Sequence, residues 1–279
     1  IMYRRSLGRS IGSVLPKLIL FIVAVLWAAP VIWMFVSSIK PESAIFSLPP
    51  QWIPAKITWA NYSKAFSTSQ LFPWFFNSTI VAVISTTLIL AINAMAGYAF
   101  ARIDFPLKDF FFVIVLATIM IPGETTIIPL YLQFDKLNLL NSHIGLILPR
   151  LCAPLGVFLL RQFFLGIPGE LEDAAFIDGA SRFRLFWTIA LPLAKPSMVA
   201  LGIFSFIGSW NDFLWPLIAT SSSKMYTLAV GIATLRGFYS SDYGMLMASS
   251  FLASLPMLVV FIIFQRHIVE GVASTGIKG

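Results

Sequence analysis

Charged side chains are scarce in this 279-residue sequence: Asp, Glu, Lys and Arg make up 11%, against 58% hydrophobic residues. A soluble domain of this length could not hide that much apolar surface in one core, so the surplus must face lipid. Cysteine is nearly absent. Cys152 stands alone inside an apolar stretch, so neither a disulfide nor a thiolate metal site can be drawn from it. The two histidines, His143 and His267, are far apart in sequence and suggest no metal centre. No G-x-x-x-x-G-K-[ST] stretch is present to cradle ATP phosphates. HExxH, a Ser/His pair and a paired intramembrane Asp motif are missing too, which argues against an intramembrane enzyme. The halves show no evident inverted repeat of the kind many secondary transporters carry.

What is there instead is long apolar blocks. At about 1.5 Å per residue they are long enough to cross a hydrocarbon layer of roughly 30 Å as helices, and they lack the short alternation of a barrel. The blocks run over about 18–36, 75–100, 110–132, 144–164, 196–219 and 245–264, each boundary good to a few residues. The expected fold is therefore all-α: a polytopic membrane protein of six transmembrane helices forming one domain over residues 1–279. The first block follows Arg4, Arg5, Arg9 and Lys17 and is too long for a usual signal peptide core, so it reads as a retained anchor with its N-terminus inside. Net charge is +7. The basic residues sit mostly in short segments between apolar blocks, which makes them topology signals rather than a nucleic-acid surface. More of them fall inside when both termini are cytoplasmic.

Residues 166–195, between the fourth and fifth blocks, depart from membrane logic. Pro168 and Gly169 break the preceding helix, and the acids Glu170, Glu172 and Asp173 suit the positive end of a new one. Ala174 and Ala175 are small helix formers. Gly179 interrupts that helix; Phe183, Phe186, Trp187 and Ile189 then restore apolar character before Leu191-Pro192 leads back to the membrane. The expectation is a helix, a bend and a second helix at the cytoplasmic surface. Small residues and a glycine beside exposed acids would let a partner's surface approach closely; a surface loop with a short amphipathic helix would look similar.

Asp173-Ala174-Ala175, three residues, Gly179, nine residues, then Ile189-Ala190-Leu191-Pro192 resembles the EAA loop of ATP-binding-cassette importer permeases. Asp173 stands where that motif usually has Glu. SWNDFLWPL from Ser209 to Leu217 and the ending QRHIVEGVASTGIKG from Gln265 resemble the maltose-type family of carbohydrate and glycerol-phosphate permeases, and the likeness covers essentially the whole chain. The resemblance implies a MalG-like inner-membrane subunit that pairs with a second, MalF-like permease, two ATP-binding subunits and an extracytoplasmic solute-binding protein. It implies that this chain binds no cofactor and hydrolyses nothing itself, MgATP being held by the partner subunits. It further implies alternating access, with Glu172, Asp173, Ala174, Ala175, Asp178 and Gly179 forming the joint to an ATPase, and a C-terminal tail with Gly271 and Gly276-Ile277-Lys278-Gly279 reaching the interface between the two ATPases.

Solute contacts are sought in the fifth block. Ser205, Gly208, Ser209 and Asp212 recur at i, i+3, i+4 and i+7, which puts them on one face of a continuous helix. A polyhydroxyl solute needs partners to replace water, and an ionisable group within a span usually faces a wet path. Asp212 is the sharpest candidate; Ser205, Ser209 and Asn211 accompany it, while small residues on a helix face also serve helix packing. Arg150, beside Pro149, and Glu124, after Pro122-Gly123, each follow a helix break and line either the pathway or a salt bridge or external end. Trp210 and Trp215 could stack on a sugar ring or sit in an interfacial belt. The rival from another class is a proton-coupled secondary transporter, for which charges near mid-membrane would also serve.

Overall fold

The computed structural model describes the backbone of residues 4–238 and 242–276, and the side chains of residues 16–237 and 242–265. The tail positions named above from Gly271 onward have side chains outside the described residues, as does His267. Among the described residues the regular structure is helical. It runs α1 Arg4–Ser38, α2 Glu42–Ile45, α3 Ala60–Thr68, α4 Leu71–Arg102, α5 Lys108–Ala117, α6 Gly123–Lys136, α7 His143–Ile147, α8 Pro154–Leu165, α9 Gly169–Ile177, α10 Arg182–Leu185, α11 Leu191–Leu193, α12 Lys195–Trp210, α13 Leu214–Ala219, α14 Leu228–Phe238 and α15 Tyr243–Gly276.

Three stretches, Pro16–Ser38 of α1, α4 and Tyr243–Gln265 of α15, are each long and apolar enough to cross a membrane. Three bent pairs pass the same test: Lys108–Met120 with Gly123–Lys136 at 101°, His143–Leu151 with Pro154–Leu165 at 47°, and Arg182–Leu193 with Lys195–Trp210 at 74°. Each pair counted as one span brings the number to six. The bends fall at proline. Pro122 precedes α6, Pro154 opens α8, and Pro196 lies in the first turn of α12, where a missing N–H costs no helical hydrogen bond.

The chain divides into two compact units, residues 1–69 with 234–254 and residues 70–233 with 255–279. In the first, Asn61 donates from Nδ2 to the carbonyls of Ser38 (2.7 Å) and Lys40 (2.8 Å). The Glu42 carboxylate accepts from the backbone N–H groups of Tyr243 (2.9 Å) and Gly244 (2.8 Å), satisfying donors that α15 leaves open at its start. Lys64 pairs with Asp242.

In the second unit α4 is the axis, packed lengthwise on α8 and α12. Small residues make the approach close: a Cβ on Gly97 would meet the backbone of Arg161 at 3.0 Å, and one on Gly156 would meet Asn93 Nδ2 at 2.6 Å. Two buried clusters hold this unit. One gathers Tyr98, Leu160, Phe164, Ala175, Leu185, Phe186 and Ala190 beneath α9 and α10. The other gathers Val81, Phe134, Leu146, Ile147, Trp215 and Ala219 around α7 and α13. Segment 220–227 is fastened to α4 by side-chain hydrogen bonds. Trp74 Nε1 donates to the Ser223 carbonyl (2.7 Å), and Asn77 Nδ2 donates to those of Lys224 (2.8 Å) and Tyr226 (3.0 Å). Because both of those bonds use the Asn77 amide nitrogen, its Oδ1 is left as an acceptor for His143, 3.0 Å away, which fixes the proton on Nε2.

Candidate functional site

Two arrangements in the second unit hold chemistry that the packing alone does not require. The first is the segment 166–195. α9 starts after Pro168 with Glu170 and Glu172 in its first turn, where carboxylates complement the helix dipole. It ends in a Schellman motif: the N–H of Ala180 reaches the Ala175 carbonyl (2.9 Å) and that of Gly179 the Phe176 carbonyl (3.0 Å). Gly179 has φ +77°, a left-handed conformation that side chains with a Cβ rarely adopt, so the glycine six residues after Asp173 is a backbone requirement. The chain resumes at α10, where the Ser181 hydroxyl accepts from the Arg184 N–H (3.2 Å), and continues through a π-helical turn at Phe186–Ala190 to α11.

The two faces of α9 differ. Glu172 and Ala175 point inward and are buried, whereas Asp173, Ala174, Asp178 and Gly179 are exposed. Ile177, an apolar residue the sequence reading did not single out, is 87% exposed, and Phe183 is exposed on α10. Glu172 is committed inside the chain: Arg102, the last residue of α4, places Nε 3.2 Å from its Oε1. The same guanidinium donates to the carbonyl of Phe164 from Nε (3.0 Å) and Nη2 (2.7 Å), and to that of Ile167. Arg182 Nη1 in turn donates to the Arg102 carbonyl (3.0 Å). The ends of α4 and α8 and the inner face of α9 are thereby joined at one cation, with Glu170, Asp173 and Asp178 left as outward acids. In the sequence Arg102 passed as a topology signal at the end of an apolar block, which gave no hint of this role.

The second arrangement lies at two breaks. A continuous helix through Asp212 was expected, but α12 stops at Trp210 and α13 begins at Leu214. An unbroken helix would place Pro216 in its interior, without the N–H that residue 212's carbonyl needs. The break moves Pro216 into a first turn, where that N–H is not needed. Asp212 therefore lies in the break rather than on α12 with Ser205 and Ser209. Its Oδ2 lies 2.5 Å from Nη1 of Arg150, which occupies the 3₁₀ turn Leu148–Leu151 before the break at Cys152 and Ala153. Gly208 leaves room for the guanidinium, since a Cβ there would meet Arg150 Nη2 at 3.3 Å. At about 1.5 Å per residue from the ends of α8 and α12 that adjoin segment 166–195, the pair lies roughly 22–26 Å along the spans.

The other candidates separate. Ser209 is buried with no hydrogen-bond partner for its hydroxyl among the described residues, Ser205 is half-buried, and Asn211 is exposed within the break. Glu124 is exposed in the first turn of α6 and forms no ion pair among the described residues. Trp210 and Trp215 are both buried against protein. Trp215 donates from Nε1 to the Gly145 carbonyl (2.9 Å) and meets Phe134 edge-on, and Trp210 packs on Phe75 and Phe206. Neither indole offers a ring face to a solute as a stacking role would require. Among the described residues no cluster of three metal-ligating side chains occurs.

Comparison with known proteins adds independent findings. Residues 92–273 match the family model "Binding-protein-dependent transport system inner membrane component". The chain is 35% identical over 281 residues to the arabinooligosaccharides transport system permease protein AraQ of Bacillus subtilis, covering 100% of both chains. It is 35% identical over 252 residues to the sulfoquinovosyl glycerol transport system permease protein SmoH of Agrobacterium fabrum, covering 90% of this chain and 88% of that one. The fold is similar to that in a crystal structure of a bacterial ABC transporter involved in the import of the acidic polysaccharide alginate. The TM-score there is 0.82 at 21% identity, over 93% of this chain and 97% of the other.

Proposed function

The chain belongs to the binding-protein-dependent transport system inner membrane components, and from that premise we propose that it is the permease subunit through which an ATP-driven importer passes a carbohydrate-like solute. The observation that carries the reading is α9: a short helix closed by Gly179, exposing Asp173, Ala174 and Ile177 while Arg102 holds its inner face to α4 and α8. A partner that grips the outer face gains purchase on two spans at once. Asp173, Ala174, Asp178 and Gly179 form the joint to an ATP-binding subunit, with the buried Glu172 and Ala175 anchoring it into the membrane domain.

The chain itself carries no catalysis; MgATP is bound and split by two separate subunits, and a second permease completes the pathway. An extracytoplasmic binding protein delivers the solute. With segment 166–195 in the cytoplasm, both ends of the chain lie on that side of the inner membrane, as the distribution of Lys and Arg favours. Closure of the ATPases then biases the spans between inward-open and outward-open arrangements, the differential affinity of ATP for the two being the source of the work.

Arg150 and Asp212 are placed in the outer part of the pathway, with Ser205, Ser209 and Asn211 nearby in sequence and Glu124 at the break of the third span. Because the cation and the carboxylate are paired, the site offers hydrogen-bond donors and acceptors without net charge, which suits a polyhydroxyl solute. The family to which the chain belongs supports this reading over a proton-coupled carrier. The names of the relatives, arabinooligosaccharides and sulfoquinovosyl glycerol, support a carbohydrate.

The test is to purify the tagged chain from native membranes in mild detergent and identify what accompanies it. A second permease and an ATP-binding subunit are expected, with MgATP hydrolysis in the eluate. A chain that elutes alone under several gentle conditions would contradict the importer reading.

A further inference from the structure

Residues 46–57, in the connection between α1 and α3, do not have the composition of a solvated loop. Their only charged side chain is Lys56, and Pro49, Pro50 and Pro54 remove three backbone donors that an apolar environment would leave unsatisfied. Large apolar side chains point away from the protein: Leu48 is 90% and Ile53 86% exposed, and Trp52 and Ile57 are exposed as well.

The path of the segment says what it meets. The segment starts after α2, where Phe46 meets Tyr243, and ends beside the end of α1, where the Thr58 N–H bonds to the Ile39 carbonyl (2.9 Å). Its middle folds back along the helix. Trp52 meets Trp33 edge-on with ring centroids 4.9 Å apart, and Pro50 and Trp52 share a groove with Leu26, Ala29, Pro30 and Trp33. The buried Lys40 locks this return, donating to the Gln51 carbonyl while its ammonium lies 4.3 Å from the centre of the Trp33 ring. At about 1.5 Å per residue, Trp33 lies roughly 7 Å and Leu26 roughly 18 Å before Ser38 along α1. The hydrophobic window of Pro16–Ser38 is 0% buried within the chain, so the segment runs beside a surface that itself faces outward along its length.

We propose that residues 46–57 form a strap inserted into the outer interface of the bilayer, with Leu48, Trp52 and Ile53 at the boundary of headgroups and acyl chains and Lys56 reaching up to phosphate. Aromatic and aliphatic side chains on a segment poor in charge gain free energy at that depth, and a lysine stem can lie along apolar surface with its ammonium in the polar layer. The strap would fix the depth and tilt of α1, a span with little packing of its own. It depends on α1 crossing the membrane but not on the importer reading, and it holds whichever solute is carried.

The experiment is spin-label accessibility on the full chain, reconstituted with its co-purifying subunits into phosphatidylethanolamine and phosphatidylglycerol liposomes. In a Cys152→Ser background, nitroxides are attached at Leu48→Cys and, separately, Ile53→Cys, two side chains exposed enough to tolerate a label; Ser63→Cys on α3 is the aqueous reference. Collision with oxygen relative to a water-soluble nickel chelate is expected to be several-fold higher at Leu48 and Ile53 than at Ser63. A ratio equal to that at Ser63 would show a solvated loop, and low collision with both reagents would show a surface covered by protein. Either result overturns the proposal.

Discussion

Arg102 joins the ends of two spans to the helix that follows them, and its removal would be felt at each. Truncation leaves Glu172 as a largely buried carboxylate without its cation, and the Phe164 and Ile167 carbonyls without a donor. Arg102→Ala is expected to destabilise the protein by about 3 kcal/mol, read as a lowered thermal transition in detergent, with Arg102→Lys recovering only part because one ammonium cannot span the same acceptors. The Arg150–Asp212 pair makes a different prediction. Arg150→Met or Asp212→Leu alone should impair folding or transport strongly, because each strands the opposite charge, whereas the double variant should recover stability. Transport measured in the folded double variant then tells whether the polar groups themselves serve the solute. Lys40 gives a pH signature. Burial lowers its pKa below the ordinary 10.5, so the folded chain holds the proton less tightly than the unfolded one. Stability should therefore rise with pH through the window from the lowered value up to 10.5, and Lys40→Met should abolish that slope in thermal scans at graded pH.

At the scale of elements, Gly179 is the position where one side chain would change a helix end. Gly179→Val would force a β-branched residue into the left-handed region, at a cost of about 1–2 kcal/mol, or unwind the Schellman turn. Among the described residues no atom crowds the site, so the expected outcome is a protein that still folds and inserts but whose ATP hydrolysis no longer drives uptake. The bend at Gly179 was legible in the sequence because glycine after a run of helix formers carries a specific backbone meaning. The apolar blocks were legible because hydropathy averages over a span. That averaging also hid the break within the fifth block, where residues 211–213 are too few to alter a window. The breaks before Glu124 and beside Arg150 were marked locally, by Pro122-Gly123 and Pro149. The Arg150–Asp212 pair was not legible, since nothing in a single sequence says that residues so far apart meet where two spans are both broken. Arg102 was hidden for a simpler reason: a lone arginine at the end of an apolar block is what membrane topology alone would put there.

For the molecule as a whole, the account rests on force passing from a partner at α9 into the spans through Glu172 and Arg102. Ile177 is the place to look for that partner, because it is the most exposed apolar side chain of α9 and, at 87% exposure, leaves room for an aromatic photoreactive residue. The measurement is to install p-benzoylphenylalanine at Ile177, irradiate native membranes with and without MgATP, and identify the crosslinked species by mass spectrometry. A crosslink to an ATP-binding subunit, with a yield that changes when nucleotide is added, is the expected result. Irradiation that yields only lipid adducts, or no adduct to any ATP-binding protein in either condition, would contradict the assignment of α9 as the joint between hydrolysis and transport.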